Sequence, residues 1–229
     1  MKIKTLLLVV IVGVSLTAVS CASKPEPKAA SNSNASAAPK TTGSKNPAEM
    51  KVAKPGDKAP ESKKALTEGK RVPVPTDWET MYDDDKGYEF EVPAGTQSDW
   101  KTVEGVDVFV ARAPEPAKVA AVVIAFKNKH LNKADLLETA KRFLAGMGEK
   151  DIKIGEVEEL SDDYDLATVT SVDEKGVTTK AKLLMATDVS DNYIVLVGSP
   201  DSEFKANEKV IDAIWGSFGM YSGGASGKS

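Results

Sequence analysis

The spacing of apolar residues changes several times along the chain, and each change marks a boundary. Residues 6–19 are an almost unbroken apolar run, whereas residues 22–71 hold only Met50, Val52 and Leu66 among large apolar side chains. Beyond residue 73 apolar positions recur with the periods of folded elements. Tyr88, Phe90 and Val92 alternate with Glu89 and Glu91, so they share one face of a strand by the two-residue period. The acidic turn before them, closed by Gly87, makes residues 82–92 a predicted hairpin, and Pro93 stops it. Val106, Val108 and Val110 predict a second alternating strand running to Arg112. Residues 119–126 are continuously apolar, as expected of a central strand covered on both faces.

A helix is predicted next. Asn132 is a suitable N-cap with Asp135 three residues on, and Leu136, Leu137, Ala140, Phe143, Leu144 and Met147 mark its stripe up to Gly148. Residues 152–160, 166–172, 177–187 and 193–197 read as four more strands, with Gly176 and residues 188–192 supplying turns. Ser199 and Pro200 open a last helix, with the proline at its first position. Ile211, Ile214, Trp215 and Phe218 form its buried stripe at i, i+3, i+4 and i+7. Adjacent strands joined by short turns favour an α+β fold, an antiparallel β-sheet flanked by helices, over a doubly wound parallel sheet.

The amino terminus reads as an address. Lys2 and Lys4 precede the apolar run, which is short for a permanent membrane span and the right length for a signal-peptide core. The run ends in small residues immediately before Cys21, the only cysteine. This resembles a bacterial lipoprotein signal, in which such a cysteine is acylated and becomes the new first residue. The usual leucine three residues before the cysteine is replaced here by Ala18. The resemblance implies a lipidated Cys21, with palmitate-type chains each adding ~0.8 kcal/mol per buried methylene. Ala22 in the second mature place implies the periplasmic face of the outer membrane rather than the inner membrane.

Charge separates the next two segments. Residues 22–72 carry 11 Lys and Arg against 5 Asp and Glu, a net of +6, and residues 73–229 carry 17 against 29, a net of −12. The overall formal charge of −4 hides this contrast. The first segment lacks the apolar surface to offset the entropy of ordering and is expected to be a disordered linker. As a coil of about 50 residues it would span roughly 35–42 Å. It is either a plain spacer or a basic segment drawn to anionic headgroups or an acidic partner. The expected organisation is a signal peptide over 1–20, Cys21 and the linker over 21–72, a globular domain over 73–221, and a flexible tail over 222–229.

The stretch Gly87-Tyr88-Glu89-Phe90-Glu91-Val92-Pro93 and the closing Ile211-Asp212-Ala213-Ile214-Trp215-Gly216-Ser217-Phe218 resemble the start and end of PsbP-like domains. That group includes extrinsic photosystem II proteins, DcrB-type envelope lipoproteins and a Ran-binding import factor. The resemblance covers residues 78–221 and implies an α/β/α sandwich around an antiparallel sheet. It also implies a non-enzymatic binding or assembly role.

Several chemistries are excluded or left without support. An acidic domain does not suit general nucleic-acid binding, and one cysteine with one histidine cannot build a zinc cage or a disulfide. No nucleophile elbow, phosphate loop or dinucleotide fingerprint is present. Asp83, Asp84 and Asp85 with Glu89, and Asp162, Asp163 and Asp165, lack the alternate spacing of a calcium loop and read as turns. His130 reads as a loop residue leading into the first helix, and Lys180 and Lys182 as the solvent face of a strand. Trp78 and Trp100 fall in loop-like stretches outside any stripe and are candidates for a binding surface. No catalytic residue, metal ligand or cofactor is expected. The expected function is a membrane-anchored, non-enzymatic envelope lipoprotein that binds a protein partner, the alternative being a small-ligand or metal-binding protein with a pocket between sheet and helix.

Overall fold

The computed structural model describes residues 50–57, 64–65, 73–189 and 191–221, with 64–65 as backbone alone. The stretch expected to be a signal peptide, Cys21, most of the expected linker and the expected tail lie outside these residues. The elements run β1 (Lys51–Ala53), β2 (Lys64–Ala65), β3 (Glu79–Asp83), β4 (Tyr88–Val92), β5 (Gln97–Val103), β6 (Val106–Arg112), β7 (Ala120–Phe126), α1 (Lys133–Gly146), β8 (Lys150–Ile154), β9 (Glu158–Ser161), β10 (Tyr164–Val172), β11 (Thr178–Asp188), β12 (Asp191–Pro200), α2 (Asp201–Gly216) and β13 (Gly219–Met220).

The large sheet has the order β5-β6-β7-β12-β11-β10-β8, with β9 also on β10, and every pairing in it is antiparallel. The α+β class expected from the pattern is therefore the one observed. The apolar β7 lies in its interior, paired with β6 on one side and β12 on the other. Alternation sends Val122, Ile124 and Phe126 to one face and Ala121 and Val123 to the other. The first face packs on Leu136, Ala140, Phe143 and Leu144 of α1. The opposite face packs on Phe204, Ile211, Ile214 and Trp215 of α2. Burial of each such Leu, Ile or Phe contributes about 1.5–3 kcal/mol.

A second, smaller sheet joins the α2 layer, in the order β1-β3-β4-β13-β2. Its Met81, Tyr88, Phe90 and Val92 belong to the same buried cluster as α2 and the adjacent face of the large sheet. One sheet was expected and two are present, because β13 follows the end of α2 and pairs with β4, a return that local periodicity does not encode. The linker reading needs correcting at residues 50–57 and 64–65. Here β1 pairs with β3, β2 pairs with β13, and Met50 and Ala53 are buried. The apolar interruptions noted in the linker are the reason, since Met50 supplies the side chain that anchors this strand to the core.

Other differences are local. The stretch read as one strand over 152–160 is two, β8 and β9, separated at Gly155, whose N–H donates to the Thr168 carbonyl at 2.8 Å. Pro200 is the N-cap of α2 rather than its first helical residue, because β12 runs directly into the helix. Asn132 caps α1 as expected, its side-chain oxygen accepting from the Asp135 N–H at 3.0 Å. Among the described residues no helix is long and apolar enough to cross a membrane.

Candidate functional site

The end of α1 is built by a glycine. Gly148 has φ +93°, donates its N–H to the Ala145 carbonyl, and is followed by Glu149, whose N–H reaches Leu144, both at 3.0 Å. This pair of bonds closes the helix with a left-handed residue and fixes the direction of the next side chain. Residue 150 then starts β8, paired with Val172 of β10. Held by the cap on one side and the strand on the other, Glu149 is carried under the sheet and is only 6 % exposed.

The hairpin of β10 and β11 supplies its partners. Asp173 closes the turn, its carboxylate accepting from the N–H groups of Lys175 and Val177, both at 2.8 Å, with Gly176 at φ +81°. The resulting register sets Ser171 directly opposite Thr179. Their hydroxyls lie 2.8 Å apart, Ser171 donates to Glu149 Oε2 at 2.6 Å, and Thr179 lies 3.3 Å from the same oxygen. Burial raises the Glu149 pKa, the two hydroxyl bonds work against the rise, and Asp173 adds to it. All three polar residues are buried.

They face an open crevice of about 60 Å³ between the end of α1 and the sheet. Val122, Leu144, Met147, Val169 and Leu196 are among its walls. Gly198 of β12 also lines it, and its missing side chain keeps the strands close: a Cβ there would sit 2.5 Å from the Lys180 carbonyl oxygen and 2.6 Å from Ala181 Cβ. An apolar pocket with a few convergent polar groups is the usual form of a small-molecule site. The sequence signal was present but unread: Ser171 and Thr179 continue faces that are otherwise apolar through Val169 and Leu183.

A second cleft of about 400 Å³ lies elsewhere, lined by Lys86, Lys127, Lys129 and Arg142 together with Asp107. Its cations are largely engaged. Lys127 pairs with Asp191, Arg142 pairs with Glu104 at 2.8 Å, and the Lys86 ammonium sits 3.5 Å from the centre of the Trp100 ring.

The residues singled out from the sequence fall apart in space and in role. Trp100 is in β5, not in a loop; it is half-buried and meets Phe109 edge to face at 5.2 Å. The surrounding Gln97, Ser98, Asp99 and Lys101 are polar because β5 is an edge strand, which hid it from a hydrophobicity reading. Trp78 precedes β3, is half-buried, packs on the core, and donates its backbone N–H to Pro75 at 3.2 Å. Asp83 ends β3 and accepts from the Lys86 N–H at 2.9 Å, while Asp84 pairs with Lys51. Among the described residues no group of three or more His, Cys, Asp and Glu is arranged to hold a metal. His130 is exposed between β7 and α1. Lys180 is half-buried rather than solvated, its ammonium 4.9 Å from the Phe204 ring centre. Cys21 lies outside the described residues.

No family model matches this sequence, and no curated protein sequence matches it. The chain is similar in fold to the cyanobacterial PsbP protein CyanoP of Synechocystis, at 17% identity and a TM-score of 0.46, covering 63% of this chain and 92% of that one. It is similar also to the Ran-binding protein Mog1p of Saccharomyces cerevisiae, at 8% identity and a TM-score of 0.46, covering 62% and 95%. A third solved structure, from Bacteroides thetaiotaomicron, shares 14% identity at a TM-score of 0.36, covering 59% of this chain and 45% of its own.

Proposed function

We propose that this protein is a lipid-anchored, non-enzymatic accessory module of the cell envelope, held at the outer membrane through an acylated Cys21. Its acidic domain binds an envelope protein. The observation that carries the reading is the order of three features in one chain: an apolar run ending at the sole cysteine, a stretch of net charge +6, and a segment of net charge −12. Such a chain presents a charged body at the end of a tether of opposite sign, which suits reversible capture near a surface. The described surface supports this. Val52 and Val189 are its only exposed large hydrophobic residues, as suits a partner held by polar contacts rather than by an obligate apolar interface.

Metabolic labelling with palmitate tests the anchor: the wild-type chain takes up label and Cys21→Ala does not. In-cell crosslinking tests the partner. The full chain is expected to capture envelope proteins that a chain ending at Val72 does not, and equal capture by both would count against the domain as the binding element.

A second reading, binding of a small ligand between sheet and helix, is favoured by one observation. This is the buried Glu149, Ser171 and Thr179 cluster at the apolar crevice.

A further inference from the structure

We infer that the crevice beside Glu149 binds a primary alkylammonium: one cationic amino group on a short apolar stem. The inference rests on the ligand-binding reading and specifies the ligand. Its first support is the polarity of the hydrogen-bonding groups. Ser171 gives its proton to Glu149 Oε2, and Thr179 gives its own to Ser171 or to the same carboxylate. Both hydroxyl bonds converge on Oε2 and neither is made to Oε1. With Glu149 ionised, what the three side chains have left to offer is lone pairs, and the ligand must donate. Two hydroxyl oxygens and a carboxylate give an ammonium enough acceptors for its three hydrogens.

Charge points the same way. Glu149 has Asp173 as an acidic neighbour, and Lys180, the cationic residue at the crevice, turns its ammonium to the Phe204 ring of α2. An anion would meet repulsion here, whereas a cation gains charge-assisted hydrogen bonds. Size and walls set the rest of the ligand. A crevice of about 60 Å³, open to solvent, has room for the amino group and the first carbons of the stem. Leu144 and Met147 at the crevice offer apolar contact for the remainder, with a flexible thioether that adapts to stems of different shape.

The test uses the full-length chain and three probes of equal length: n-butylammonium chloride, n-butanol and sodium butyrate, each at about 50 mM with sodium chloride as reference. For a Kd of about 10 mM, linkage predicts a rise in Tm of about 2–4 °C with butylammonium alone. Amide NMR shifts should concentrate at Gly148, Ser171, Thr179 and Gly198. Glu149→Gln should abolish the rise while leaving the rest of the spectrum in place, and Ser171→Ala should weaken it. The NMR map of the wild-type chain locates the binding even if a variant folds poorly. Equal rises from butanol in the wild type and in Glu149→Gln would keep the crevice as a ligand pocket and overturn the ammonium assignment. If no probe moves either the Tm or those amides, both the assignment and the ligand-binding reading fail.

Discussion

Tyr193, near the start of β12, donates its hydroxyl to the carbonyl of Lys86 in the turn between β3 and β4, at 2.7 Å. The bond stitches the large sheet to the small one at the point where their aromatic residues meet. The Tyr193 ring stands edge-on to Tyr88 and to Phe218, with centroids 6.0 and 5.7 Å away. The hydroxyl lets a wholly buried ring end on a backbone acceptor instead of an unsatisfied one.

Tyr193→Phe separates the bond from the packing. The ring contacts remain, the Lys86 carbonyl loses its donor, and the expected loss is about 1–2 kcal/mol in urea unfolding. Tyr193→Ala removes both and should cost about 3–5 kcal/mol. A Phe variant indistinguishable from wild type would show that the stitch adds nothing to the packing.

Gly198 makes a different kind of demand. Its close approach to the Lys180 carbonyl and to Ala181 leaves no room for a methyl group between β11 and β12. The obstacle is backbone, so it cannot swing aside as the end of a flexible side chain would. Gly198→Ala is therefore expected to destabilise the domain by about 1–3 kcal/mol. Amide exchange should quicken along both strands near residues 180 and 198, and unchanged protection there would contradict the steric account.

How much of this was legible beforehand depends on where each signal is stored. The interior strand β7, the cap at Asn132 and the stripe of α2 were readable because each is fixed by its own few residues and a local period. Trp100 was misplaced because β5 is an edge strand with little apolar content, its strand character conferred by β6 across seven paired residues. The small sheet was invisible for a related reason: β13 and β4 are neighbours only after the chain has returned from α2. The Glu149 site has a mixed record. Gly148 was read as a helix stop, which sets the direction of Glu149, but Ser171 and Thr179 meet it only through the β10–β11 register.

Trp100 also separates a packing role from a surface role. Its ring lies between Phe109, met edge to face, and the Lys86 side chain, whose ammonium rests on its face. Trp100→Ala should then cost about 2–3 kcal/mol, less than a fully enclosed tryptophan but well above a surface residue. A loss below ~0.5 kcal/mol would mark the ring as free for a partner instead.

Glu149 gives the domain a pH dependence whose sign follows from its burial. The folded state holds this carboxyl's proton to higher pH than the unfolded chain does, since desolvation outweighs the hydroxyl bonds from Ser171 and Thr179. Between the ordinary glutamate range and the raised value the folded state thus binds more protons, and stability falls as pH rises through that window. Below the ordinary range both states are protonated and the difference vanishes. Glu149→Gln removes this dependence while keeping an acceptor for Ser171. In urea titrations from about pH 4 to pH 7, the stability of wild type relative to Glu149→Gln should therefore decline steadily with pH. A constant difference across that range would mean that the carboxyl titrates as if exposed, and the buried account of the site would be wrong.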